Sequence, residues 1–378
     1  MPTGKSPVLE PGQSTTPIRA GNDLDLERLL TYLQPHIPNL TGPLNVSQFS
    51  LGQSNPTFLL ISATGEKYVV RKKPPGSLLS ATAHAVEREY RVLRALGEHT
   101  KVPVPKVYHL CEDPSILGTP FYVMEFLKGR IFSDVSFPSL PQRERFALWY
   151  EAISTLALLH QVSPRAIGLE GYGRSADYYA RQKRSLSKVS AAQARVVDQS
   201  SGSAVGPLPR LDDLMAWYDQ NAPVDECTIV HGDYKIDNLV FHPTEPRLIG
   251  ILDWELSTLG HPLSDLANLL QPFSAPSGLL PTQSTSLRDL RPLPVPHEED
   301  LQRQYCHLTG RRWPIQGWDF AKSFAFFRLA VISQGIAARV ARGQASSAQA
   351  KEYGALFRPV MALAVQFVDQ SNLTSSKL

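Results

Sequence analysis

The chain has 378 residues, 42% of them hydrophobic and 19% charged, with a formal net charge of +3. That apolar share supports a large core, and a nearly balanced charge gives no reason to expect nucleic acid as a partner. Cys111, Cys227 and Cys306 show neither CxxC spacing nor an even framework, so they read as free thiols of a reducing compartment.

Residues 1–23 are rich in Pro, Ser and Thr and lack an apolar signal core, so a disordered leader is expected there. Leu24, Leu26, Leu29, Leu30 and Leu33 then repeat at helical spacing until Pro35 and Pro38 interrupt them. "NVSQFSLGQSNPTFLLIS" and "GEKYVVRKKPPG" are β-branched and aromatic runs parted by Gly and Asn turns, which predicts a small antiparallel sheet. "AHAVEREYRVLRALGEH" is an amphipathic helix with Val86, Tyr90, Leu93 and Leu96 on one face. "VPVPKVYHLCED" and "TPFYVMEFLKG" read as two more strands, closing a first lobe over 24–127.

The pattern turns mainly helical over 128–370. "PQRERFALWYEAISTLALLHQV" predicts a helix with Pro141 near its first turn. Residues 185–210 are poor in large apolar groups and predict a mobile insertion, whereas "DDLMAWYDQNAP" predicts a helix ending at Pro223. Two short strands are expected in "CTIVHGD" and "NLVFHP…RLIGILDW", followed by a Pro- and Ser-rich loop over 271–297. Helix returns in "WDFAKSFAFFRLAVISQGIAARVARG" and "EYGALFRPVMALAVQFVDQ". No run reaches the roughly 18 apolar residues of a membrane helix, so no span is expected. Residues 371–378 form a polar tail ending Ser376-Lys377-Leu378, which spells a peroxisomal import address for a receptor, with a cytoplasmic location as the alternative. The fold class expected is α+β: a small lobe with an antiparallel sheet and one long helix, then a larger, mainly helical lobe, in the bilobal manner of protein kinases.

Chemistry concentrates in "VHGDYKIDNLVF". His231, Gly232 and Asp233 are followed by Asn238, and Asp253 stands in "ILDWE" at the end of an apolar strand. Phosphoryl transfer from ATP needs a carboxylate for the attacking hydroxyl and oxygen ligands for Mg²⁺. The kinase layout H-R-D-x-x-x-x-N with a later Asp supplies both, and this chain keeps its Asp-to-Asn interval with Gly232 in place of Arg. Lys235 could neutralise charge on the moving phosphoryl group. His231 is expected to brace the loop.

Such a site makes demands on the first lobe. Gly52, Ser54 and Asn55 in "LGQSNPTF" offer a small-residue turn over the phosphates. Arg71, alternating with Val69 on one strand face, is the expected cation, with Lys72 the alternative. Glu89 is the expected acidic partner on the helix, with Glu87 as competitor. Backbone groups from Glu125 to Leu127 could meet the adenine edge. Asp265 reads as structural, capping a helix or holding the His231 loop. Arg181, Lys183, Arg184, Arg328 and Arg339 could meet acceptor phosphates, although each also reads as a solvated helix face.

Together HGDxxxDN, DWE, GxSNPT and REYRVLRAL resemble the aminoglycoside phosphotransferase-like kinases, a family that includes choline kinase. "RKKPPGSLL", "FYVME", "LDWELST" and "GHPLSDLA" are similar to the kinase domain of certain acyl-CoA dehydrogenase fusion proteins. The resemblance runs from about residue 25 to 365. It implies ATP and Mg²⁺ as cofactors, Asp233 as base, Asn238 and Asp253 as metal ligands, and Glu255 as support for the metal. It also implies a small-molecule hydroxyl substrate, a 4-hydroxyacyl-CoA or related hydroxy acid, acted on by a stand-alone kinase. A kinase for another small alcohol (choline-, sugar- or aminoglycoside-like) and a non-catalytic nucleotide-binding protein of the same fold are the alternatives.

Overall fold

The computed structural model describes residues 13–19, 22–49, 55–74, 85–199, 201–279, 286–344 and 349–375. Gly52, Ser54 and the Ser376-Lys377-Leu378 tripeptide lie outside them.

Strand β1 (Thr15–Thr16) precedes helix α1 (Leu26–Leu33), whose N-cap Asp25 accepts a bond from the Arg28 amide. Strands β2 (Asn45–Phe49), β3 (Thr57–Ile61) and β4 (Lys67–Lys72), helix α2 (Val86–His99), strand β5 (Val107–Cys111), the short helix α3 (Pro114–Leu117) and strand β6 (Phe121–Glu125) follow. The strands make one antiparallel sheet in the order β1-β2-β3-β4-β6-β5. Alternation along each strand divides the side chains between two faces. Phe58, Leu60, Tyr68, Val70, Phe121 and Val123 pack in one cluster with Leu29 and Leu33 of α1. Residues of the other parity, Val69, Arg71, Tyr122 and Met124, line a cavity on the opposite face.

Farther along lie helices α4 (Gln142–His160), α5 (Tyr178–Ala194) and α6 (Leu211–Asn221). Strands β7 (Thr228–Val230), β8 (Leu239–Phe241), β9 (Leu248–Ile251) and β10 (Thr258–Gly260) come next. The remaining helices are α7 (Leu263–Leu269), α8 (Gln271–Ser274), α9 (Glu298–Thr309), α10 (Trp318–Ala341), α11 (Ala350–Ala355) and α12 (Phe357–Ser375). The chain forms two compact units. The first comprises Met1–Phe132, Val162–Tyr172 and Ile236–Ser257, so the β8–β9 hairpin belongs with the six-stranded sheet. The second comprises Ser133–Gln161, Gly173–Lys235 and Thr258–Leu378, built on helices with a small β7–β10 pair. The α+β kinase-like fold class expected from the sequence is the one found.

Several local expectations need correction. The leader is not wholly unstructured: Thr15 and Thr16 pair with Phe49 and Gln48, extending the sheet along the free backbone edge of β2. Residues 185–194 belong to α5 and not to a mobile insertion. Alanine-rich sequence favours helix without a broad apolar stripe, and buried Ser190 donates to Gln334 Oε1 at 2.7 Å. "NLVFHP…RLIGILDW" is two strands, because the chain reverses between Phe241 and Leu248.

Helix α10 is also long and apolar enough to pass as a membrane span, which the sequence reading did not anticipate. Its aromatic residues Phe320, Phe324 and Phe327 instead join Trp217 and Tyr218 of α6 and Val360 and Met361 of α12 in the core of the second unit.

Gly129 sits where the chain leaving β6 meets β8. The Arg130 amide donates to the Phe241 carbonyl at 2.7 Å, and the Phe241 amide donates back to the Arg130 carbonyl at 2.9 Å. A Cβ at 129 would lie 2.4 Å from the Phe241 carbonyl oxygen and 2.6 Å from Val240 Cγ1. Backbone cannot swing aside as a side chain can, so Gly129→Ala should destabilise the protein by roughly 1–3 kcal/mol. Calorimetry should show a lowered Tm; an unchanged Tm would mean that the bridge shifts freely.

Candidate active site

In the first unit, the antiparallel pairing of β4 with β6 sets Arg71 opposite Tyr122 and Val69 opposite Met124. Parity decides the cation. Arg71 faces the cavity, whereas Lys72 points the other way and donates to the Leu117 carbonyl at 2.9 Å, its pKa lowered by burial. Burial along α2 separates the two acids. Glu89 is 1% exposed and its Oε2 lies 2.8 Å from Arg71 Nε, while Glu87 pairs with Lys73 on the half-buried surface. The Nε hydrogen of Arg71 is not directed at Glu89, so this contact is an ion pair more than a hydrogen bond.

Glu89 is fixed from two further sides. Asn55 Nδ2 donates to Oε1 at 2.8 Å, and the Tyr122 hydroxyl donates to Oε2 at 3.1 Å. Asn55 therefore holds the helix acid, the one member of the expected phosphate turn that the structure describes. Burial raises the Glu89 pKa, opposed by the Arg71 charge. For Arg71, burial disfavours the charge, but Glu89 and then Asp253 outweigh it and keep the guanidinium protonated above its usual range.

The β8–β9 hairpin brings the remaining oxygen ligands to this cation. Leu239 pairs with Ile251, so Asn238 just before β8 lies beside Leu252 just after β9, and the Leu252 amide donates to the Asn238 carbonyl at 2.9 Å. Asp253 follows at φ +65°, a left-handed conformation that among non-glycine residues Asn and Asp adopt most readily. Arg71 Nη2 donates to Asp253 Oδ1 at 2.6 Å and to Glu255 Oε2 at 3.3 Å. Asn238 and Asp253 line the same cavity as Arg71.

The cavity holds about 160 Å³, some ten times the roughly 15 Å³ that one water needs by the same measure. Its apolar end is lined by Phe49, Met124, Phe126 and Leu127, with Glu125 between them in the chain. The Glu125 amide donates to the Lys106 carbonyl at 2.8 Å, fixing the strand end as it reaches the cavity. Tyr122, Asp237 and Gln13 are among the lining residues that sequence reasoning missed. Tyr122 was within reach of a parity argument, and Asp237 stands directly before Asn238; Gln13, in the leader, carried no signal.

In the second unit, the His231 loop is built around Asp265. The His231 and Gly232 amides donate to its two oxygens at 2.7 and 2.9 Å, and His160 Nε2 lies 3.4 Å away. The Asp233 amide donates to His231 Nδ1 at 3.1 Å, so His231 does brace the loop. Gly232 adopts φ +85°, which glycine allows without steric cost. Tyr234, fully buried, donates to the Ala152 carbonyl, and Lys235 Nζ lies 3.6 Å from Asp233 Oδ2. From α10, Arg328 Nη2 donates to the Gly232 carbonyl. Arg328 thus holds the His231 loop and is no mere solvated surface cation, whereas Lys183 pairs with Asp219 on the surface.

The matching family model, a phosphotransferase enzyme family, covers residues 45–298. This chain belongs to that family. Phosphoryl transfer from ATP to a hydroxyl acceptor is its enzyme class. A Ralstonia eutropha protein assigned as an aminoglycoside phosphotransferase is 41% identical, with TM-score 0.78 over 92% of this chain and 99% of that one. The structure of a streptomycin-ATP-APH(2")-IIa complex, 16% identical with TM-score 0.54 over 82% of this chain and 90% of its own, shares the fold. Acyl-CoA dehydrogenase family member 10 of Mus musculus is 39% identical over 94% of this chain and 32% of its own length. Family member 11 of Gallus gallus is 40% identical over 93% of this chain and 44% of its own. The chain therefore spans less than half of these curated relatives.

Asp265 makes a testable pH signature. Burial pushes its pKa up, but the bond and charge of His160, the His231 charge and the Gly232 amide outweigh this and hold it below the usual carboxylate value. A depressed folded pKa contributes stability that is complete above the unfolded value of about 3.9 and lost as pH falls through the folded value. Asp265→Asn should cost roughly 2–3 kcal/mol at pH 7, by removing an ionised acceptor from two amides. The gap in Tm between the two proteins should narrow only below about pH 4. A gap that closes already at pH 6 would contradict this assignment.

Proposed function

We propose that this phosphotransferase moves the γ-phosphoryl group of ATP to the hydroxyl of a 4-hydroxyacyl-CoA or a related hydroxy acid, in peroxisomal fatty-acid breakdown. The observation that carries the ATP half is Arg71, held by buried Glu89 and directed at Asp253 and Glu255 in a cavity whose other end is apolar. The acyl-CoA half is supported by similarity to proteins named as acyl-CoA dehydrogenase family members. The Ser376-Lys377-Leu378 sequence supports the organelle.

The donors around Arg71 are hard oxygens, suited to Mg²⁺. Among the described residues no group of three or more His, Cys, Asp or Glu side chains could hold a metal on its own. That fits a Mg²⁺ arriving with the nucleotide, since this ion keeps phosphate oxygens and waters and asks for only one or two carboxylates. Asn238 and Asp253 would hold it, supported by Glu255, and bound there it would neutralise phosphate charge. Arg71 orients the phosphates through its planar fork. Asp233 accepts the proton of the acceptor hydroxyl as its oxygen bonds to the γ-phosphorus and the bond to ADP breaks. Lys235, beside Asp233, balances charge on the moving group.

A second acceptor has one specific supporter, the 41% identical protein assigned to aminoglycoside phosphotransfer. Purified protein incubated with ATP, Mg²⁺ and 4-hydroxyacyl-CoA should release ADP and give a phosphorylated thioester by mass spectrometry. Asp233→Asn should lower kcat by about 10²–10⁴-fold while ADP binding persists. Turnover of an aminoglycoside, choline or a sugar with none of the hydroxyacyl-CoA would overturn the acceptor assignment. Unchanged kcat in the variant would overturn the assignment of the base. For the organelle, a fluorescent protein fused ahead of the chain should colocalise with a peroxisomal marker and become diffuse when the last three residues are deleted. Diffuse fluorescence from the complete fusion would refute that location.

A further inference from the structure

The leader segment reaches the apolar end of the nucleotide cavity. Gln48 of β2 is 3% exposed, and its side-chain oxygen accepts from the Arg19 amide at 3.0 Å and from Asn22 Nδ2 at 3.4 Å. Together with the β1–β2 pairing, these bonds pin the chain ahead of α1 along the sheet edge. At the start of this strap Gln13 Nε2 donates to the Leu127 carbonyl at 2.8 Å. Gln13 is 6% exposed and lines the cavity beside Phe49 and Phe126, whose rings stack with centroids 6.4 Å apart.

The other end of this side chain is unsatisfied. Gln13 Oε1 is buried with no hydrogen-bond partner. A buried amide oxygen without a donor is unfavourable, and native structures seldom keep one unless a ligand or water completes it. The Nε2 bond to Leu127 fixes which end of the carboxamide is the acceptor. Around it are aromatic and aliphatic side chains suited to a flat base, and Arg71 marks the phosphate end of the same cavity.

From this we infer that Gln13 reads the nucleoside of the phosphoryl donor, its Oε1 accepting a hydrogen bond from a nucleoside donor group. This rests on the nucleotide reading given above. The donor is either the exocyclic amine of adenine or a ribose hydroxyl. Gln13 is then a specificity-determining residue supplied by a segment outside the sheet and helix that otherwise form the nucleotide half of the site.

The test is calorimetric binding of ADP, purine riboside diphosphate (which lacks the 6-amino group), 2′-deoxy-ADP and 3′-deoxy-ADP to the full chain and to Gln13→Met, a near-isostere without the acceptor. ADP should bind the variant about tenfold more weakly, the scale of one hydrogen bond. One analogue should bind the unaltered protein about tenfold more weakly than ADP, yet bind both proteins alike, and its missing group identifies the donor. Equal ADP affinity for the two proteins overturns the inference. So does an unaltered protein that binds every analogue as tightly as ADP, a result independent of how well the variant folds. If the unaltered protein binds no ADP at all, the nucleotide reading itself fails, which neither of the other outcomes implies.

Discussion

A single buried guanidinium organises the first unit. Arg71 meets three carboxylates, Glu89, Asp253 and Glu255, supplied by a helix and by the turn after a hairpin. Burying a charge costs several kcal/mol, and even a good partner seldom returns more than that, so the cluster is a poor device for stability. Its composition points to function. One cation against three carboxylates leaves formal negative charge, even with Glu89 drawn toward its neutral form by burial. A divalent ion held by Asn238 and Asp253, with Glu255 in support, would balance that charge, and Asn55 and Tyr122 fix the inner acid in place. Rigid support for a charged group costs no reorganisation at the moment of reaction.

The second unit solves a related problem with the opposite sign. There a buried carboxylate, Asp265, gathers backbone amides and a histidine, and the loop carrying Asp233 takes its shape from that anchor. Glu89 is pushed up by burial, while Asp265 is held down by the donors that surround it. The difference follows from partner number: two amides, an imidazole contact and a second imidazole charge outweigh desolvation where a single guanidinium shared among three acids does not. The boundary between the units falls between Lys235 and Ile236, inside the HGDxxxDN run. The interval from Asp233 to Asn238 is therefore also a chain connection between the two units.

Much of this was legible because strands and helices impose periods on side chains. Val69 and Arg71 share a strand face, so period two favoured Arg71 over Lys72, and of the two only Arg71 lines the cavity. Glu87 and Glu89 lie on different faces of one helix, and only burial distinguishes them, which spacing alone could not supply. Helix α5 was missed where its sequence turns to Ser, Lys and Ala, since few of its residues are buried and no apolar stripe marks it. Strand β1 and Gln13 had no signature at all. Their placement comes from backbone pairing to a strand edge some thirty residues away in sequence, a property of the edge more than of the leader.

The helix that looks most like a simple core element also reaches the His231 loop. α10 buries Phe320, Phe324 and Phe327 among aromatic neighbours, and the same helix sends Arg328 to the Gly232 carbonyl. A loop on its own would relax around a glycine at positive φ; bonded from Asp265 on one side and Arg328 on the other, it inherits the rigidity of the helices that carry them. This explains why so apolar a helix carries an arginine at its centre. Moving that charge outward would free the hydrophobic face from a desolvation cost but would leave a backbone carbonyl beside Asp233 without its donor. One helix, α10, therefore contributes both to the core of the second unit and to the hold on the loop that carries Asp233.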